Sequence, residues 1–188
     1  VVVVVCLSAT VSAALSAQDS ATSETSQLVA VLTSAEASVF DKAKACQRLV
    51  IIGDESAVPA LAGLLADAKL SAYARDALEA IPGPDPDAAL REALSRLEGD
   101  RLIDVLGSVG VRRDAEAIDA VATLLGSDDP ATAAAAARAL GHIGTTAAAD
   151  KLRNKLSEAT AESGPALGDA CLVCIQELTK KGERDKAV

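Results

Sequence analysis

The sequence predicts an all-α fold: an α-solenoid of about four to five stacked antiparallel helix pairs. Three observations lead there. Half of the 188 residues are hydrophobic, mainly Ala, Leu and Val, and Ala and Leu are among the strongest helix formers. Aromatic residues are nearly absent, with one Phe (Phe40), one Tyr (Tyr73) and no Trp. A core of that composition is closed by helices whose small residues let backbones approach. Finally, four stretches share a register: "QRLVIIGDESAVPALAGLL" from Gln47, "DALEAIPGPDPDAALREAL" from Asp76, "IDVLGSVGVRRDAEAIDAVATLL" from Ile103 and "ARALGHIGTTAAADKLRNKL" from Ala137. Each passes from an apolar helix end through a glycine and a short polar turn into a second helix ending in Leu. The glycines Gly53, Gly83, Gly110 and Gly144 recur roughly every 30 residues, the length of one helix–turn–helix unit in a solenoid.

Residues 1–17, "VVVVVCLSATVSAALSA", carry no charge; the first charged residue is Asp19. An apolar run followed by small residues is the pattern of a secretory signal and its cleavage site. Leu15-Ser16-Ala17 and Ser12-Ala13-Ala14 are two candidate sites. The basic start of such a signal is missing and the chain has no Met, so a trimmed start is expected. Two other readings stay open. One is a retained membrane anchor, for which a run of about 17 residues is the lower limit; the other is a buried segment of the fold. Cys6 follows Val4-Val5 and lacks the small residues a lipoprotein signal needs before its cysteine. Residues 18–27, with the polar "DSATSETS", are expected as a linker, and residues 28–188 as the repeat domain.

Ser38-Val39-Phe40-Asp41 reads as a capping box opening the first clear helix, in which Ala43, Cys46, Leu49 and Val50 recur at helical spacing. Gly53 is expected to close it in a left-handed conformation. Ser56 is expected to cap the next helix, with Pro59 in its first turn. No helix crosses "IPGPDPD" between Ile81 and Asp87. Asp85-Pro86 and Asp129-Pro130 each place an N-cap before a proline. Ala131–Leu140 is expected as the alanine-rich first helix of a repeat, closing near Gly141–Gly144. Its partner is capped by Thr145 or Thr146 and carries Leu152 and Leu156. Gly182 stops a helix running from about Pro165, with Ala170, Leu172, Val173, Ile175 and Leu178 as its apolar face. Glu183 to Val188 has the composition of a new first turn. The natural chain is therefore expected to continue past Val188, leaving that last face less covered than the inner ones.

On these residues a family resemblance appears. "DESAVPALAGLLAD" and "AAAAARALGHIGT" resemble HEAT repeats, especially the short HEAT-like type of phycobilin lyases. "FDKAKACQRLVIIG", "LSAYARDALEAIP" and "SVGVRRDAEAI" resemble exported bacterial HEAT-repeat proteins. The resemblance extends from about Leu28 to the C-terminus. It implies a stack of helix pairs that binds proteins. Some exported members carry a fused enzymatic domain, and this sequence has none. The likeness to the lyases covers the repeat only and brings no activity with it.

Chemistry-bearing residues are few. Cys171-Leu-Val-Cys174 has the spacing of a redox or metal-binding pair. Ile175 stands where haem attachment needs His, and a tetrahedral zinc site needs ligands beyond the distant Cys46 and His142. The pair reads as two apolar residues one helical turn apart; a disulfide is the alternative. His142, the single histidine, is expected to bond a free carbonyl at a helix end. Gly107-Ser-Val-Gly110 and Gly141-His-Ile-Gly144 occupy the same place in the repeat and read as helix terminators. Asp85, Asp87, Asp128 and Asp129 sit at helix starts, where the dipole favours carboxylates. No Gly-x-Ser-x-Gly turn or GxxxxGK[ST] loop is present. No catalytic, cofactor-binding or metal residue is therefore nominated, and no cofactor is expected.

The formal charge of −9 argues against nucleic acid as a partner, since an acidic chain repels phosphate. No membrane association is expected apart from an uncleaved N-terminal anchor. The expected partner is a protein, of unspecified identity. Four residues are nominated for that contact: Tyr73 and Arg75, which form one pair, and Arg112 and Arg113, basic in an acidic chain. The sequence reads as an exported, non-enzymatic module for protein binding or scaffolding. The alternative is the accessory region of a larger exported enzyme whose catalytic domain lies outside this chain.

Overall fold

The computed structural model describes residues 24–183 and Asp185. The expected signal segment, the first part of the expected linker and most of the expected C-terminal turn lie outside these residues. Among the described residues the chain is helical and has no strand. The described residues divide into two compact units, one up to Gly83 and the other from Pro84. None of the described helices is long and apolar enough to cross a membrane.

In the first unit, α1 spans residues 24–33, so helix begins inside the stretch 18–27 expected as linker. The reason is tertiary. The Thr25 hydroxyl donates to the Ile52 carbonyl at 3.3 Å, and Glu24 pairs with Arg48 at 2.7 Å. Both bonds tie the start of α1 to α2 (Val39–Ile52). Ser38 caps α2 as expected, its hydroxyl accepting from the Asp41 N–H at 3.1 Å. The buried face of α2 is Ala45, Cys46 and Leu49, whereas Val50 is exposed. The expected stripe of Ala43, Cys46, Leu49 and Val50 is thus rotated by part of a turn. Gly53 ends α2 in an extended conformation, φ −63° and ψ 145°, and not in the left-handed one expected. It is glycine for space, since a Cβ there would strike the Leu49 carbonyl and the Ile81 side chain.

After α2 the chain makes a short 3₁₀ turn, Glu55–Ala57, and the brief α3 (Val58–Ala62). Asp54, not the expected Ser56, caps this turn; its carboxylate accepts from the Ser56 N–H at 2.9 Å. α4 (Ser71–Ala80) packs on α2 and α3. Leu49, Leu61, Leu65, Leu78 and Ile81 fill the space between them.

The second unit holds α5 (Asp85–Leu94), α6 (Gly99–Arg112), α7 (Ile118–Leu124), α8 (Pro130–Ile143), α9 (Thr146–Ser157) and α10 (Gly164–Lys180). α6, α8 and α10 pack side by side in one layer, and α5, α7 and α9 succeed one another in the other. Chain order alternates between the layers, which is the α-solenoid arrangement. α8 and α9 are joined only by Gly144 and Thr145 and pack on each other, so they run antiparallel. Asp129 and Thr145 cap α8 and α9 as expected. α5 differs: it starts at Asp85 with no side-chain cap, and Pro86 lies in its first turn.

Close packing of the longer helices explains the glycines. Gly110 and Gly141 lie inside α6 and α8 and do not end them, contrary to the sequence reading. A Cβ on Gly110 would lie 3.2 Å from the Ala139 Cα, and one on Gly141 would lie 2.8 Å from the Ala170 carbonyl. Each glycine meets an alanine of the next long helix at the same level of the repeat. The residues that close α6 and α8 are Arg113 (φ 56°) and Gly144 (φ 59°), both left-handed. On α10 the buried apolar residues are Leu167, Ala170, Cys174 and Leu178, while Leu172 and Ile175 are exposed. The expected apolar face therefore mixes two sides of the helix.

Candidate binding cleft

α8 begins with the run Ala131 to Ala137. The short side chains of Ala133, Ala134 and Ala137 leave its first turns thin on one side. Two loops rise beside them. The α7–α8 loop brings Leu125, Gly126, Ser127 and Asp128, with Pro130 opening α8; the end of α9 brings Lys155, and the α9–α10 connection brings Glu158, Thr160, Glu162 and Ser163, followed by Ala166 and Leu167 of α10. Together they enclose a cleft of about 480 Å³. That lies within the range of pockets that hold a small molecule or a short peptide segment.

Both walls are built by local hydrogen bonds. Ser127 accepts from the Asp129 N–H at 3.2 Å. Asp129 in turn accepts from the N–H groups of Ala131 and Thr132 at 3.2 and 3.0 Å, and from the Thr132 hydroxyl at 2.6 Å. The Thr132 hydroxyl and the backbone N–H bonds hold the Asp129 carboxyl below the usual carboxylate range. Asp129 is thereby consumed in capping, and the first N–H groups of α8 are occupied. Opposite, Thr160 and Ser163 bond reciprocally: Ser163 accepts from the Thr160 N–H at 3.1 Å and Thr160 from the Ser163 N–H at 3.3 Å. Lys155 reaches Glu158 at 3.5 Å.

Residues 88–163 match the family model for HEAT repeats. Those residues carry HEAT repeats. The match covers most of α5, then α6 to α9 and the α9–α10 connection, so most of the cleft is built by residues within it. No curated protein sequence matches the chain.

The nominated contact residues lie apart from the cleft. Tyr73 is half-buried on α4, and Arg75 of the same helix lies 4.0 Å from Glu79. Arg112 and Arg113 belong to the second unit, at the end of α6, and neither reaches the cleft. Arg112 is nearly enclosed and bonds to Asp87, tying α6 to α5. Arg113, half exposed, pairs with Glu177 of α10 at 2.7 Å. Beside them Arg91 bridges Asp114 and Glu116. The basic pair thus serves the inside of the second unit first.

Glu177 is a junction of that unit. Its carboxylate takes Lys180 at 2.7 Å as well as Arg113, and its side chain covers Gly144. Lys181 donates to the Gly144 carbonyl at 2.7 Å and the Ile143 carbonyl at 3.4 Å. These are the free carbonyls for which His142 was the expected donor. The hydrogen bond from Lys180, with the charges of Arg113, Lys180 and Lys181, lowers the Glu177 pKa against the opposing effect of burial. A lowered carboxylate pKa contributes stability above the unfolded value, roughly 4.3, and that stability is lost as pH falls through the lower folded value. Wild-type stability is therefore expected to drop on acidification below about pH 4, and Glu177→Gln to lower neutral-pH stability while flattening that acid limb. Urea titrations across the pH range check this; an unchanged acid limb in the variant contradicts it.

Cys46, Cys171 and Cys174 are free thiols. Burial raises all three pKa values, that of Cys46 to about 11, which leaves them protonated and poor nucleophiles. Among the described residues no group of His, Cys, Asp and Glu is arranged to hold a metal ion.

Sequence reasoning missed the cleft residues Asp128, Ala134 and Glu162. One signal was present: of the adjacent Asp128 and Asp129, only one can cap α8.

Proposed function

We propose that this chain is an exported, non-enzymatic helical-repeat module that binds or scaffolds a partner protein, and that the cleft beside α8 is its principal contact. HEAT repeats generally serve as protein-interaction scaffolds, and the match over residues 88–163 carries the reading. The cleft supports it further, because its alanine floor stays open where a larger side chain would fill it. Export is supported by the uncharged residues 1–17 and their small-residue cleavage pattern.

Site-directed photo-crosslinking in a secreting host tests the binding role. A photoreactive residue at Ala134 or Glu162 is expected to give discrete protein adducts. The same residue at Arg96 or Glu36, exposed elsewhere, is expected to give none. Adducts that form equally at all four positions, or at none, overturn the reading.

A further inference from the structure

The chemistry of the cleft narrows the partner. We propose that it receives an extended segment of a partner protein through a basic side chain, Lys or Arg, whose stem lies along the alanine floor and whose charge sits between Asp128 and Glu162. This deepens the binding role proposed above and rests on it.

The floor is apolar: Ala133, Ala134 and Ala137 of α8, with Leu125 and Leu167 behind them. The rim is acidic. Asp128, Glu158 and Glu162 line the cleft with Lys155 as the single cation, and Lys155 is already opposed by Glu158 at 3.5 Å. Asp128 and Glu162 form no ion pair among the described residues. They stand on opposite walls, one on the α7–α8 loop and the other on the α9–α10 connection.

An anionic segment fits poorly. The N–H groups at the start of α8 are capped by Asp129, and an incoming carboxylate would face three others. A wholly apolar segment fits the floor and leaves the rim charges unused. A Lys or Arg side chain satisfies both surfaces, since its methylenes bury against apolar atoms while its head stays at the wet rim. The net charge of −9 adds attraction at longer range.

The test uses the full chain and four pools of acetylated, amidated heptapeptides. Flanking positions are randomised over Ala, Leu and Ser, and the central residue is Arg, Lys, norleucine or Glu. Because rim ion pairs are exposed and individually small, the Arg and Lys pools are expected to bind about tenfold tighter than the Glu pool. They are also expected to exceed the norleucine pool, with the preference shrinking in about 0.5 M salt. The double variant Asp128→Asn with Glu162→Gln, both exposed and outside the core, is expected to retain the wild-type helical signal and lose the preference. Equal binding of all pools, tightest binding of the Glu pool, no binding of any pool, or an unchanged preference in the double variant overturns the inference. If photo-crosslinks at Ala134 persist in any of those cases, the binding role stands and only the basic-segment assignment falls. If the crosslinks are absent too, both fall.

Discussion

Leu140→Ala is expected to destabilise the second unit by about 3–5 kcal/mol. Leu140 is fully buried at the centre of α8, and α8 packs against α6, α7, α9 and α10. Truncation removes apolar contact and leaves a void that four surrounding helices cannot all move to close. Of these, α6 and α10 are held against α8 by glycine–alanine contacts, so collapse around the void is resisted. The control is Leu172→Ala on α10. Leu172 is 59% exposed, so its loss is expected to change stability by less than about 0.5 kcal/mol. Chemical denaturation followed by far-UV circular dichroism compares the two. Similar midpoints for both variants would mean that α8 is not the central helix of the unit.

The second large effect is Gly144→Ala, expected to cost about 2–4 kcal/mol from left-handed backbone strain and overpacking together. Gly144 has φ +59°, and a Cβ there would collide with the Glu177 side chain. Relief requires displacing Glu177, which would disturb its pairs with Arg113 and Lys180. Gly107→Ala gives the opposite sign. Gly107 is helical in α6 and a Cβ there meets nothing within 4 Å, so the substitution is expected to stabilise by roughly 0.5–1 kcal/mol through helix propensity. Both glycines belong to a Gly-x-x-Gly pair. A shared sign in the same denaturation assay would contradict their separate roles.

That contrast shows where the sequence was legible. The all-α class, the alternation of helices, the breaks at "IPGPDPD" and the caps at Ser38, Asp129 and Thr145 follow from local rules, because each depends on neighbours within one turn. The glycines misled for the opposite reason. Gly110 and Gly141 occupy positions that look like helix ends, yet their role is set by Ala139 and Ala170 on the next long helix. Arg113 could not be recognised as the residue closing α6, since a non-glycine in the left-handed region depends on its surroundings, here including the ion pair with Glu177. On α10, Ala170, Leu172, Val173, Ile175 and Leu178 were assigned to one face, although Leu172 and Ile175 lie off the buried side and Cys174 lies on it. The cleft was the least legible feature. Its walls come from two loops about 30 residues apart, the spacing of one repeat, and its floor reads in sequence as ordinary alanine packing. Asp128 acquires meaning only when Asp129 is seen to take the cap.

Filling the cleft tests the central claim most directly. Ala134→Leu keeps a strong helix former on α8 and places a larger side chain on the cleft floor. Combined with the photoreactive residue at Glu162, it is expected to cut the yield of protein adducts about tenfold while leaving the thermal midpoint within about 2 °C of the unfilled chain, since Leu and Ala have similar helix propensities. Undiminished adduct yield at an unchanged midpoint would show that partners do not enter the cleft, and would contradict the account.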